Sequence, residues 1–98
     1  MGEFESKVNY QQYYLTATTD QQSLTISRIS ERINIENSGD GTLNVVLQTQ
    51  EDNTADFSST NKMIRIRPNE YFEEDMDVNA VIYKVESGVT AIGVFIDY

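Results

Sequence analysis

The stretch INIENSGDGTLNVVLQT, residues 33–49, decides the fold class of this sequence. Two segments with apolar residues at alternate positions flank the run Asn37-Ser38-Gly39-Asp40-Gly41. Glycine adopts positive φ at little cost, and Asn and Asp side chains hydrogen-bond to nearby backbone, so such a run reverses the chain. Alternation with a period of two puts one set of side chains on one face of a strand. The stretch therefore predicts a β-hairpin whose core face holds Leu43, Val45 and Leu47 opposite Ile33 and Ile35.

Segments of the same kind lie on both sides of this stretch. Residues 13–19 and 23–29 precede it, and residues 63–67 follow it, ending in the turn Pro68-Asn69. A segment opened by Tyr71 comes next, and residues 80–86 and 89–97 predict a closing hairpin around Ser87-Gly88. A helix over residues 20–32 is disfavoured, because its apolar residues cannot all share one helical face.

These segments predict an all-β fold: a small antiparallel β-sandwich, Ig-like or jelly-roll-like, of about 7–8 strands. Residues 13–98 form one domain and residues 1–12 an N-terminal arm, since a chain of 98 residues has room for one core. In residues 80–86, Val81, Tyr83 and Val85 compete with Ile82 for the inward face. The predicted core is Ile33, Ile35, Val45, Leu47, Ile64, Ile66, Ile82, Ile92, Val94 and Ile96.

Composition narrows the function. The chain has no Cys and no His, so the usual nucleophile–base pairs and the commonest metal ligands are missing, and we expect no enzyme, cofactor or metal. Sixteen acidic against seven basic residues give a net charge of −9, which disfavours direct nucleic-acid binding. The apolar stretches are too short to span a membrane. The acidic run at residues 73–77 lacks the spacing of a calcium loop and is typical of a solvated strand edge.

Aromatic and basic side chains are the candidate partner contacts. Adjacent Tyr13 and Tyr14 point to opposite faces of a strand, so we expect at least one of them to lie outside the core unless another layer covers it. An exposed tyrosine suits an interface, because it combines a large apolar ring with a polar tip. Arg65 and Arg67 alternate with apolar residues and so share the outward face of one strand. There they form either cross-strand ion pairs with acidic residues or a basic patch that contacts the acids of a neighbouring subunit. The predicted partner-interface residues are Phe4, Tyr10, Tyr13, Tyr14, Arg65 and Arg67.

The order of turns and strands resembles that of small β-sandwich virion accessory and structural proteins of tailed bacteriophages, of the head-decoration, head-fibre-base, neck or tail accessory type. The resemblance lies in four segments: INIENSGDGTLNVVLQ, MIRIRPNE, VIYKVESG and TAIGVFIDY. The proline turn of those proteins more often reads Pro-Gly-Glu, and here Asn69 replaces the glycine. Asn also tolerates a left-handed conformation, so the turn is expected to survive.

The resemblance implies a non-enzymatic role in the virion, after synthesis in the host cytoplasm. It implies a symmetric homo-oligomer that contacts capsid, portal or tail proteins through an edge strand or the N-terminal arm. The alternative is a carbohydrate- or receptor-binding β module, for which exposed Tyr and Asp residues clustered in the loop over residues 50–61 would be the sign. A carboxylate enzyme, the third class, requires a deep pocket containing two acids.

Overall fold

The computed structural model of this chain describes residues 9–58 and 62–98. Within these residues there are eight strands and no helix, so none that could cross a membrane. The prediction of an all-β fold is confirmed, and residues 20–32 hold a strand rather than a helix. The strands are β1 (Tyr10–Ala17), β2 (Gln22–Thr25), β3 (Arg32–Asn37), β4 (Leu43–Gln48), β5 (Met63–Ile66), β6 (Tyr71–Glu74), β7 (Ala80–Val85) and β8 (Thr90–Asp97).

The strands form two four-stranded antiparallel sheets. Sheet 1 has the order β1-β8-β3-β6 and sheet 2 has the order β2-β7-β4-β5. Only the β4–β5 connection stays within a sheet, and every other connection between consecutive strands crosses to the opposite sheet. Eight antiparallel strands wound in this way form a jelly roll, one of the two sandwich types that the sequence predicts.

Both predicted hairpins are wrong. β3 pairs with β6 and β8 rather than with β4, and β7 pairs with β2 and β4 rather than with β8. Turn residues reverse the chain without specifying which sheet it enters next. The crossing is favoured because Ile33 and Ile35 then face Leu43 and Val45 through the core, and both apolar stripes are fully buried.

The core fills the space between the sheets. Nine of the ten predicted core residues lie between the sheets; seven of them are buried, and Leu47 and Ile64 are partly buried. Ile82 is the exception: it is buried, but on the outer side of sheet 2 in a separate cluster with Val46 and Ala80. The competing stripe provides the inward face of β7, which consists of Val81, Tyr83 and Val85.

The loop after β4 explains why Ile82 is buried although it faces outward. Phe57, in this loop, packs against the cluster formed by Val46, Ala80 and Ile82. The Lys84 ammonium lies 4.7 Å from the centre of the Phe57 ring, close enough for a cation–π contact. The loop therefore covers part of the outer face of sheet 2 with the chain's own side chains.

The N-terminal boundary differs from the prediction. β1 begins at Tyr10, so residues 10–12 pair with β8 instead of belonging to an arm. The Tyr98 N–H donates to the Asn9 carbonyl at 2.9 Å, which extends the pairing by one residue. Phe4 lies outside the described residues. β2 is shorter than predicted and ends at Thr25, after which the Ile26 N–H donates to the Asn79 carbonyl at 2.8 Å.

Asn37 ties the predicted turn to the rest of the sandwich. Its side chain is 1% exposed and donates to the carbonyls of Gly41 at 2.6 Å and Ile66 at 2.9 Å. Its carbonyl oxygen accepts from the Thr90 hydroxyl at 2.7 Å and from the Gly39 N–H at 3.2 Å. Both sheets therefore meet at one buried amide.

The proline turn behaves as the sequence predicts. The Glu70 N–H donates to the Arg67 carbonyl at 3.0 Å, which closes a turn over Pro68 and Asn69. Asn69 has φ of 66°, in the left-handed region, and so takes the position that glycine would occupy in a type II turn.

Candidate functional site on the outer face of sheet 1

Sheet 1 presents an outer face that carries exposed tyrosines. The inward stripes of its strands leave the alternate residues pointing outward, and the strand register aligns them in rows across the sheet. Among the described residues, three of the five most exposed large apolar or aromatic side chains lie here: Tyr10 at 45%, Tyr14 at 72% and Tyr71 at 65%. We call this surface the tyrosine face and define it by Tyr10, Gln12, Tyr14, Glu36, Tyr71, Gly93 and Phe95.

The middle of the tyrosine face is shaped by Gly93, which lies beside Tyr14 in the register. A Cβ at this position would lie 2.8 Å and 2.9 Å from two atoms of the Phe95 ring, closer than carbon atoms can approach. The missing side chain therefore lets the Phe95 ring lie over the strand. The Phe95 ring meets Tyr14 edge to face, with centroids 5.9 Å apart and an interplanar angle of 84°, an arrangement that aromatic pairs favour.

Along β1, a chain of hydrogen bonds orders the exposed phenols. The Tyr14 hydroxyl donates to Gln12 Oε1 at 3.0 Å. Gln12 Nε2 in turn donates to the Tyr10 hydroxyl at 3.1 Å. Both tyrosines are therefore held by the same glutamine, which reduces the rotamer freedom that docking would otherwise remove.

Across the sheet, Tyr71 stands on the opposite edge from Tyr14. The register places Gly93 and Glu36 between them in one row. Three strand spacings separate the two tyrosines, which is about 14 Å. This row therefore has one phenol at each edge of the sheet, with Gly93 and the Glu36 carboxylate between them.

The end of the same face at the start of β3 carries charged side chains. The Arg32 guanidinium lies 2.9 Å from Asp75 Oδ1 and 3.2 Å from Glu73 Oε2. The hydrogen bond with Asp75 and the charges of both acids raise the pKa of Arg32. Asn34 Nδ2 donates to Glu73 Oε1 at 3.3 Å, while the buried Asn34 Oδ1 has no hydrogen-bond partner among the described residues.

Comparison with known proteins identifies the fold. No protein-family model matches this sequence, and no curated protein matches it. An HTH_3 family transcriptional regulator from Vibrio cholerae has a similar structure, with a TM-score of 0.63 and 11% identity over 100% of this chain and 48% of the regulator. This chain therefore spans about half the length of that regulator.

Two further structures cover most of both chains. The Cupin_2 domain of an XRE family transcriptional regulator from Enterobacter cloacae has a TM-score of 0.63 and 10% identity over 93% of this chain and 83% of the domain. PirA has a TM-score of 0.54 and 12% identity over 96% of this chain and 97% of its own. Likeness at these identities shows the fold alone, because one fold hosts many functions.

The described residues of the predicted interface lie in four places. Tyr10 and Tyr14 are on the tyrosine face, whereas Tyr13 points inward and packs against the core. Arg65 is on the outer face of sheet 2, where its Nε and Nη2 donate to the two carboxylate oxygens of Glu86 at 2.8 Å and 3.0 Å. The exposed Arg67 follows the end of β5 in the proline turn.

Five residues of the tyrosine face are absent from the predicted interface: Gln12, Glu36, Tyr71, Gly93 and Phe95. Phe95 could have been assigned from the alternation of β8, because Ile92, Val94 and Ile96 point inward. Tyr71 opens β6, and no pattern in the sequence shows that β6 lies in the same sheet as β1. The same is true of Gly93, whose role depends on a neighbour that only pairing with β1 supplies.

The carboxylates of the acidic run at residues 73–77 do not point to a common centre. Glu73 and Asp75 bind Arg32, and Asp77 Oδ1 accepts from the Ser30 N–H at 3.2 Å. Among the described residues, no group of three His, Cys, Asp or Glu could hold a metal ion. Glu73 and Glu74 instead lie on β6, which is an edge strand of sheet 1.

A second depression opens where the edge strands β5 and β6 face each other. This cleft of about 300 Å³ is lined by Leu47, Ile64, Phe72 and Met76, with Asp52, Lys62 and Glu74 around them. Lys62 forms an ion pair with Asp52. The cleft is open to solvent, and its apolar floor is part of the core rather than a separate chamber.

Proposed function

We propose that this chain is a non-enzymatic structural or accessory component of a phage virion and that it acts by protein–protein contacts in a symmetric assembly. The observation that supports this role is the tyrosine face. The chain's own loop covers part of the outer face of sheet 2, whereas the outer face of sheet 1 leaves Tyr14 and Tyr71 more than half exposed. Tyrosine is enriched in protein interfaces and at their energetic centres.

The virion assignment is supported by two independent features. The turns and strands of residues 32–98 resemble those of phage accessory proteins, and the jelly roll is a fold that viral capsid domains use. The net charge of −9 favours a partner with a basic surface, since complementary potentials steer association.

The decisive experiment is to purify particles that carry the wild-type chain and to identify its neighbours by chemical crosslinking. Tyr14→Ser and Tyr71→Ser together are expected to lower incorporation into particles about tenfold or more, because each removes an exposed aromatic contact. Ile29→Ser is the matched control, since Ile29 is 74% exposed but lies between β2 and β3, outside the tyrosine face. A wild-type chain that is absent from particles and binds no co-encoded virion protein would refute the proposal.

A carbohydrate- or receptor-binding module is the second candidate. The observation that favours it is the combination of exposed phenols with Gln12 and Glu36, which can bond to sugar hydroxyls. The described part of the loop over residues 50–61 holds no tyrosine, so the cluster of exposed Tyr and Asp residues expected for such a module is not found there. Its two aspartates accept hydrogen bonds from hydroxyls of the loop itself: Asp52 from Thr54 and Asp56 from Ser58. Titration with oligosaccharides, followed by amide shifts on β1 and β8, separates this candidate from the first.

A further inference from the structure

The four edge strands of the sandwich differ in how they can pair with another chain. β2, β5 and β6 have four residues each, whereas β1 has eight. β5 carries Arg65 and β6 carries Glu73 and Glu74, and short or charged edges resist pairing with strangers. β1, with the sequence YQQYYLTA, has no charged residue and no proline. It is therefore the edge with the least protection.

The hydrogen-bond pattern shows which backbone groups of β1 are free. The Asn9 carbonyl accepts from the Tyr98 N–H, so the odd-numbered residues of β1 bond to β8. On the other side of β8, the Ala91 carbonyl accepts from the Ser38 N–H. The odd-numbered residues of β8 therefore bond toward β3, which leaves its even-numbered residues to bond to the odd-numbered residues of β1. The even-numbered residues of β1 therefore direct their N–H and C=O groups away from the sheet: Tyr10, Gln12, Tyr14 and Thr16. No described residue bonds to these groups.

We infer that this free edge pairs with β1 of a second copy of the chain, antiparallel and across a two-fold axis. The inference rests on the proposed assembly role and specifies one of its contacts. Antiparallel pairing of identical strands is self-complementary, as a two-fold dimer requires. Two copies of charge −9 repel each other, so a contact between them is best placed where charge is absent, and β1 is such a place.

Side-chain chemistry agrees with a register centred on Tyr13. This register pairs all four free residues, placing Gln12 opposite Tyr14 and Tyr10 opposite Thr16 of the other copy. Within one chain, Gln12 already bonds to the phenols of both Tyr10 and Tyr14, so the same groups are compatible across the new pair. The two copies of sheet 1 then form one eight-stranded sheet, and their tyrosine faces become continuous.

A proline substitution tests the pairing. Gln12→Pro removes an N–H that points to the free edge and leaves the bonds to β8 intact, and proline is tolerated at such positions of an edge strand. Glu73→Pro is the control on the other edge of sheet 1, outside the tyrosine face: its register partner Asn34 bonds to β8, so the N–H of Glu73 also points outward. Sedimentation is expected to show that Gln12→Pro raises the dimer dissociation constant at least about tenfold. Glu73→Pro is expected to leave it unchanged.

Hydrogen exchange on the wild-type chain provides a measurement that does not depend on a variant folding. The amides of Gln12, Tyr14 and Thr16 are expected to exchange slowly only at protein concentrations at which the dimer forms. The amides of Tyr13 and Leu15 are expected to be slow at every concentration, because they bond to β8.

The outcomes separate this inference from the proposed function. If Glu73→Pro weakens self-association as much as Gln12→Pro does, the loss does not come from the edge of β1 and the edge pairing is wrong. If the wild-type chain stays monomeric but binds a virion protein, the edge pairing is again wrong and the assembly role stands. If it dimerises through β1 but is absent from particles, the pairing stands and the proposed function fails.

Discussion

Replacing Asn37 with alanine is expected to destabilise the fold more than any other single polar substitution described above. The buried amide makes four hydrogen bonds, to Gly41, Ile66, Thr90 and Gly39. At roughly 1 kcal/mol of net stabilisation for each bond, the substitution costs about 4 kcal/mol. A domain of this size is stable by about 5–15 kcal/mol, so much of the total is lost.

Thermal and urea unfolding, followed by circular dichroism, measure this cost. A loss of about 4 kcal/mol lowers the melting temperature of a domain of this size by about 15–30 °C. Asn34→Ala is the matched control on the same strand: its amide makes one hydrogen bond, at 3.3 Å, and its carbonyl oxygen makes none. We expect the control to cost less than about 1 kcal/mol. Equal costs for the two variants would refute the view that Asn37 joins the two sheets.

Three further predictions concern other parts of the fold. Phe57→Ala is expected to destabilise the domain by about 2 kcal/mol and to increase binding of a hydrophobic dye, because it uncovers the apolar outer strip of sheet 2; unchanged dye binding would contradict this. Asn69→Gly is expected to be neutral or stabilising in urea unfolding, whereas Asn69→Val is expected to cost about 1–2 kcal/mol, because only the second forces a β-branched residue into positive φ. Hydrogen bonds from Arg65 lower the pKa of Glu86 below its ordinary value of 4.5, so their stabilisation is complete above that value and is lost as the pH falls through the folded-state pKa. Arg65→Gln is therefore expected to have a small effect at neutral pH, because the pair is exposed, and to lose less stability on acidification than the wild type does.

The candidate site was predicted in part. At least one of Tyr13 and Tyr14 was expected outside the core, because adjacent strand residues point to opposite faces; the structure places Tyr14 outside while Tyr13 packs inward. Arg65 was expected to form a cross-strand ion pair or a contact with a neighbour, and it pairs with Glu86. Tyr71 and Gly93 were missed, because their position on the tyrosine face depends on which strands share a sheet.

Alternation and turn chemistry determined the strands of this protein and most of its inward stripes. These are local properties: each strand has its own period of two, and a glycine or Asn at a turn needs no distant neighbour to favour reversal. The left-handed Asn69 is of this kind, since its conformation follows from the residues of the turn itself.

Only the tertiary structure decided the pairing. The runs at residues 37–41 and 86–89 reverse the chain equally well in a hairpin or in a crossing between sheets, and burial of both apolar stripes against each other favours the crossing. In β7 both faces are apolar, so alternation alone could not orient Ile82. Ile82 faces outward because Val81, Tyr83 and Val85 face the core, and Phe57 from the loop after β4 makes this outward position buried. The tyrosine face and the free edge of β1 also depend on the tertiary structure. The pairing of the strands decides which side chains share a face and which strand lies at an edge.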